Sequence, residues 1–269
     1  MNRENMKKEL KFYHSVATLI ITVAAMKYIG APLQNHFGMT GLALTEIMFG
    51  IIALLAVVML RADFKEIFPF KAPPVSMFFS SLTFYVGVYL VNIALNSVIS
   101  ELFPASNEFS ESITAFATTV SPTSAVVIIA ILPAVFEELL HRGVILAGLK
   151  RLHHTWAIVL CAGIAFGIFH LDLYRFLPTA ILGCALAYIC IKTESLLINM
   201  IMHFINNIIS VIAIFSLSGM DISEVEQTAD VSIWPSVILF AAIGAILVTI
   251  GMRKMQMLSK ADQQNKTAD

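Results

Sequence analysis

Pro133-Ala134-Val135-Phe136-Glu137-Glu138-Leu139-Leu140-His141-Arg142-Gly143 packs two adjacent carboxylates, an imidazole and a guanidinium into about one and a half helical turns. The flanks, Val126 to Leu132 and Val144 to Leu149, are apolar throughout. Together they make a segment long enough to cross a bilayer with its charges inside. Each charged group near a helix centre costs about 2.5–3.5 kcal/mol on an insertion scale. Glu137, Glu138 and Arg142 therefore cost roughly 8–10 kcal/mol before they compensate one another. A simple anchor would carry leucine at these positions. The fold must be one in which other helices offset intramembrane charge.

Composition points the same way. The chain is 58% hydrophobic and 13% charged, about half the charge of an ordinary soluble domain, with a mean hydropathy of +0.83. Its apolar runs are continuous rather than alternating, which excludes a β-barrel reading and predicts an all-α, polytopic transmembrane helical bundle. The net charge of −1 gives no reason to expect a nucleic-acid partner. Cys161, Cys184 and Cys190 all fall in apolar runs without CxxC spacing and read as small buried hydrophobes.

About eight spans are expected. The first covers Phe12 to Ile29 and is read as uncleaved, because Val23-Ala24-Ala25 is a poor signal-peptidase site. The others cover Gly41–Leu60, Val75–Ile99, Pro122 to about Arg151, Trp156–Leu171, Phe176–Ile191, Leu196–Leu217 and Ile233–Met252. Glu101 to Ser121 and Ser218 to Ser232 read as acidic loops, and Arg253 to Asp269 as a disordered polar tail. With eight spans, Arg3, Lys7, Lys8, Lys11, Arg61, Lys65, Lys71, Lys150, Arg151, Lys192, Arg253, Lys254, Lys260 and Lys266 fall on the side that holds both termini. That is 14 of the 17 Lys and Arg, so both termini are expected in the cytoplasm. The chain divides into an N-terminal part, 1–121, a core, 122–217, and a C-terminal part, 218–269.

Residues four apart share a helix face, which pairs Glu138 with Arg142 and Glu137 with His141. A Glu138–Arg142 pair leaves Glu137 uncompensated. Pro133 removes a backbone donor just ahead of the acids, which should kink the helix and free the carbonyl of Ile129. Gly163 and Gly167 form a GxxxG face that brings the next helix, ending in His170, close to a neighbour; Gly183 and Ala187 repeat the signal more weakly. His203 and Asn207 share a face of the seventh helix. Asn92, Asn96 and Asn206 read as interhelical hydrogen bonds, Glu46 as a structural pair or near-interface residue, His141 as packed or snorkelling, and His153 and His154 as solvated. Four ionisable groups on three helices, Glu137, Glu138, His170 and His203, exceed what folding alone requires.

In order, Glu137-Glu138-Leu-Leu-His-Arg142, Phe166-Gly-Ile-Phe-His170 and His203-Phe-Ile-Asn-Asn207 resemble the EExxxR, FxxxH and HxxxN signature of the CAAX protease and bacteriocin-processing family, which includes the type II CAAX prenyl endopeptidases. The resemblance implies an intramembrane endopeptidase whose active residues are Glu137, His170, His203 and Asn207, supported by Glu138 and Arg142. Two mechanisms fit. Glu137 and His170 activate a water while His203 and Asn207 stabilise the oxyanion. Alternatively, Zn²⁺ or another divalent metal held by Glu137, His170 and His203 activates the water. The expected substrate is a membrane-embedded peptide or a membrane-protein terminus, and the expected setting a bacterial cell membrane. The rival classes are a non-catalytic membrane immunity or scaffold protein and a proton-coupled transporter.

Overall fold

A computed structural model describes residues 8–217 and 232–268. Among the described residues all regular structure is helix, with no strand, and the chain is an integral membrane protein built as a polytopic helical bundle. The elements in order are α1 (Phe12–Ala25), α2 (Ala31–Met59), α3 (Phe64–Ile67), α4 (Val75–Leu102), α5 (Glu108–Ala117), α6 (Pro122–Leu152), α7 (Thr155–Phe169), α8 (Leu173–Thr193), α9 (Leu196–Leu217) and α10 (Trp234–Ala268).

Six of the described helices are long and apolar enough to cross a membrane, and α7 is a shorter apolar helix. The first of the six, Phe12–Met59, is 48 residues long, about twice the length that spans a bilayer core. Helical winding is broken only at Gly38, with φ 54° and ψ −126°, a conformation that glycine reaches without a Cβ clash. The chain folds back on itself there. Thr45 Oγ1 donates to the Gly30 carbonyl at 3.4 Å, and a Cβ on Gly41 would collide with the Leu33 carbonyl. The expected connector between the first two spans is thus reduced to one residue.

Two other expectations need correction. Glu101 to Ser121 is not an open loop, because it holds α5, with Glu108 and Glu111 in its first turn. Carboxylates there complement the exposed N–H groups of a helix start. The tail from Arg253 is not disordered through its described length, because α10 continues to Ala268. That segment contains no Gly or Pro after Gly251 and is rich in Met, Lys, Gln and Ala, which favour helix. The segments 1–7 and 218–231, which hold Arg3 and most of the second acidic loop, lie outside the described residues.

The connectors expected on the basic side gather at one end of the bundle. Lys8 N donates to the Arg61 carbonyl at 3.0 Å, Leu196 N to the Pro69 carbonyl at 2.9 Å, and Lys71 pairs with Glu194 at 2.7 Å. Two apolar cores hold the helices together. One surrounds Leu139 to Leu146 of α6 with Phe49 and Phe68. The other joins Tyr85 of α4 and Tyr188 of α8 to Met255 of α10. Glycines set the closest approaches. A Cβ on Gly87 would meet the Gly244 carbonyl at 2.7 Å, and the reverse holds for Gly244, so α4 and α10 meet backbone to backbone. On α7, a Cβ on Gly163 would stand 2.2 Å from Cys184 Sγ, and one on Gly167 would stand 2.8 Å from the Phe176 carbonyl. The expected GxxxG face therefore packs on α8, where Gly183 receives it.

Candidate active site

The site is built on α6, which passes into π-winding twice. Ser121 Oγ caps its start by accepting from Ser124 N at 3.2 Å, and Pro122 occupies the first turn. Residues Val126–Ile131 are wound as a π-helix, Leu132–Glu138 as an α-helix, and Leu139–Ile145 again as a π-helix. Pro133 cannot donate to Ile129, and the freed Ile129 carbonyl accepts instead from Asn207 Nδ2 of α9 at 3.0 Å. The gap that proline leaves in one helix is thus closed by a side chain of another. Winding of this kind is concentrated at functional sites, and here it brackets the two acids.

Glu138 is fully buried and richly satisfied. Its Oε1 accepts from Arg142 Nη1 at 3.0 Å and His203 Nδ1 at 2.9 Å, and its Oε2 from Asn199 Nδ2 at 3.4 Å. Arg142 extends the network by donating from Nη2 to the Gly183 carbonyl at 3.2 Å. Its guanidinium lies 4.5 Å from the centre of the Phe166 ring, a cation–π contact that is strong when desolvated. A close Gly163–Gly183 approach brings that carbonyl within reach of α6. The pair expected from i,i+4 spacing is present, and α7, α8 and α9 all contribute to stabilising it.

Glu137 differs from its neighbour. It is 6% exposed, and its Oε2 has no hydrogen-bond partner. His203 Nε2 stands 3.9 Å from that oxygen, beyond hydrogen-bonding distance. His203 therefore spans the two acids, with Nδ1 donating to Glu138 and Nε2 turned toward Glu137. His170 closes the C-terminus of α7, followed by Leu171 at φ 53° and the Asp172 cap of α8. Its Nδ1 donates to the Phe166 carbonyl at 2.7 Å, which leaves Nε2 unclaimed. Both imidazoles pack on Phe166, at 4.9 Å for His170 and 6.0 Å for His203 between ring centres.

Glu137, Glu138, Arg142 and His203 thus form one cluster, with His170 joined to it through Phe166. Asn207 stands one turn beyond His203, where it ties α9 to α6 and accepts from Asn206 Nδ2 at 2.9 Å. Among the described residues, no three His, Cys, Asp or Glu side chains converge closely enough to hold a metal ion. In this arrangement Glu137, His170 and His203 do not fit as a ligand set. His141 packs between Phe166 and Phe169 with neither ring nitrogen hydrogen-bonded. Asn92 Nδ2 makes the expected interhelical bond, to the Pro178 carbonyl at 3.1 Å. Asn96 instead bonds the Asn92 carbonyl of its own helix, and Asn206 bonds its neighbour, because four-residue spacing also favours local partners.

Two residues escaped the sequence reading. Asn199 supports Glu138 and also donates to the Leu186 carbonyl at 2.7 Å. It precedes His203 by four residues, as His203 precedes Asn207, so a polar stripe at helical spacing was there to be found. Arg175 of α8 interacts electrostatically with Glu137, His170 and Asp172. It stands one residue ahead of the expected span Phe176–Ile191 and within the first turn of α8.

Residues 119–209 match the family model for type II CAAX prenyl endopeptidase Rce1-like proteins. Neither a curated protein nor a solved structure matches the chain.

Proposed function

The chain carries an Rce1-like domain over residues 119–209, and on that premise we propose that it is an intramembrane endopeptidase. It hydrolyses a peptide bond in a membrane-embedded peptide or at the membrane-proximal end of a membrane protein. The observation that carries this reading is the contrast within one pair of acids. Glu138 is saturated with donors, whereas Glu137 keeps an unpartnered oxygen beside an imidazole.

Glu137 is the general base. It takes a proton from a water as the water oxygen attacks the scissile carbonyl carbon, and it returns that proton to the leaving amine. His170, with Nδ1 held on the Phe166 carbonyl, borders the same water site. His203, oriented by Glu138, faces the developing oxyanion together with the amide of Asn207. Arg142 and Asn199 hold Glu138 in place. No step is routed through a metal, because the three candidate ligands do not converge. The helices α6 to α9 form the catalytic core, eight spans place both termini on the basic side, and a bacterial cell membrane is the proposed setting.

The test compares membranes from cells that make wild type or Glu137→Gln at matched levels, with new peptide termini read by mass spectrometry. Termini that require wild type and reappear with purified protein establish proteolysis and identify the substrate. Loss of that activity on chelation, with recovery on adding Zn²⁺, would replace the metal-independent mechanism. If well-covered samples show no wild-type-specific terminus, the scaffold and transporter readings take precedence.

A further inference from the structure

Glu46 lies on α2, far in sequence from the matched segment and from every motif. It is 3% exposed, its Oε2 has no hydrogen-bond partner, and among the described residues it forms no salt bridge. The pairing expected of it is therefore absent. Its position is set by packing. Gly50, one turn further along α2, has no side chain, and the Phe136 ring of α6 fills that space; a Cβ on Gly50 would stand 2.3 Å from the ring. Phe136 immediately precedes Glu137, so the contact that seats α2 on α6 lies one turn from Glu46 and next to Glu137, and the two buried carboxyl groups interact electrostatically.

An isolated buried carboxyl group is expensive, and folding alone would favour leucine there. Two buried carboxyl groups on packed helices, each with one unpartnered oxygen, are a different case. A water molecule has two hydrogens to donate, and a polar gap with two such acceptors is suited to hold one.

We propose that Glu46 is a further active-site residue, which holds the nucleophilic water between its Oε2 and the Oε2 of Glu137. The inference rests on the endopeptidase reading above. One O–H bond of the water breaks, and its proton passes to the Glu137 carboxylate. The water oxygen forms the new bond to the carbonyl carbon, and the carbonyl π pair moves to oxygen. The intermediate collapses with cleavage of the C–N bond, and the amine leaves with the proton from Glu137. The second O–H of the water stays hydrogen-bonded to Glu46 during attack, which directs an oxygen lone pair at the substrate. Glu46 undergoes no covalent change.

The experiment measures kcat, KM and thermal midpoint for wild type, Glu46→Leu, Glu46→Gln and Glu137→Gln on a peptide that wild type cleaves. Glu46→Leu is expected to lower kcat on the order of 10²-fold, with KM unchanged, while the thermal midpoint holds or rises. Glu46→Gln keeps an oxygen acceptor and should recover a substantial part of the lost rate. A merely structural Glu46 would move the midpoint and leave kcat alone. Wild-type kcat in Glu46→Leu while Glu137→Gln is inactive overturns the water-holding role and leaves the endopeptidase reading intact. If wild type cleaves nothing, that reading fails first, and a thermal double-mutant cycle of Glu46→Leu with Glu137→Leu still tests the facing geometry. Facing carboxyl groups give strongly non-additive shifts, and additive shifts overturn the proposal.

Discussion

Glu138 and Glu137 are consecutive residues in the same buried turn, yet they meet opposite surroundings. Glu138 accepts from Arg142, His203 and Asn199, side chains supplied by α6 and α9. Glu137 has the distant His203 Nε2 beside it, at 3.9 Å, and leaves an oxygen unpartnered. A buried charge with complete partners is neutralised and held in place; one without them remains a reactive liability that only a function would retain. The difference suggests that intramembrane charge here is of two kinds. One kind builds the scaffold that orients His203, and the other is left available for chemistry.

The sharpest way to break that comparison is to exchange the fates of the two acids. Glu137→Gln should reduce cleavage by about 10²–10⁴-fold, the usual worth of a positioned base, with unchanged yield of folded protein in detergent. Glu138→Ala should do the reverse. It leaves Arg142 buried against Phe166 without its carboxylate, and breaking a buried pair in this way costs about 3–5 kcal/mol. The expected result is a large fall in thermal midpoint and in recovered protein, measured by fluorescence-detected chromatography after heating. Normal expression and retained cleavage in both variants would end the division of roles.

The scaffold half was largely legible in the sequence. Glu138 and Arg142 have helical spacing, Gly163 and Gly167 define one face, and Pro133 names the carbonyl it cannot bond, which Asn207 then takes. Each of these is a short-range rule that needs only the periodicity of one helix. Glu46 and Arg175 were not legible because their orientation depends on contacts between helices. The break at Gly38 and the fit of Phe136 against Gly50 bring the Glu46 stretch of α2 against α6. The Asp172 cap begins α8 early enough for Arg175 to lie on that helix, interacting with Glu137. The helical continuation of α10 is hidden for another reason, since polarity there points to disorder although the residue types favour helix.

Two glycine seams sharpen the same contrast at a lower level of effect. Gly163→Leu places a side chain where Cys184 Sγ and the Ala180 carbonyl already stand. It should force α7 from α8, weaken the Arg142–Gly183 bond and displace His170. Overpacking of this kind costs about 1–3 kcal/mol, and cleavage should fall along with stability. Gly244→Leu disturbs the α4–α10 seam to a similar degree, but that seam carries none of the acids, imidazoles or their partners. Its thermal midpoint should drop while kcat per folded molecule stays near wild type. Equal losses of kcat in the two variants would mean that the site senses packing across the whole bundle.

The smallest effect on stability is expected at Asn207, and comparing it with the effect on cleavage separates the two kinds of polar group once more. Its Nδ2 is engaged with the Ile129 carbonyl, and interhelical hydrogen bonds in membranes average only about 0.6 kcal/mol and reach about 1.7. Asn207→Leu should therefore cost no more than that in stability, with part of the loss recovered when Pro133→Ala lets Ile129 bond within its own helix again. If Asn207 also contributes to the oxyanion site, it does so through the second N–H of Nδ2, held in place by the bond of the first to that carbonyl. Pro133→Ala alone would then leave stability near wild type and alter kcat through Asn207. Measured rates and midpoints for the two single variants and the double variant resolve the matter. A loss of stability that the second substitution repairs, with cleavage still low, assigns Asn207 to both tasks; full recovery of both assigns it to holding the helices together.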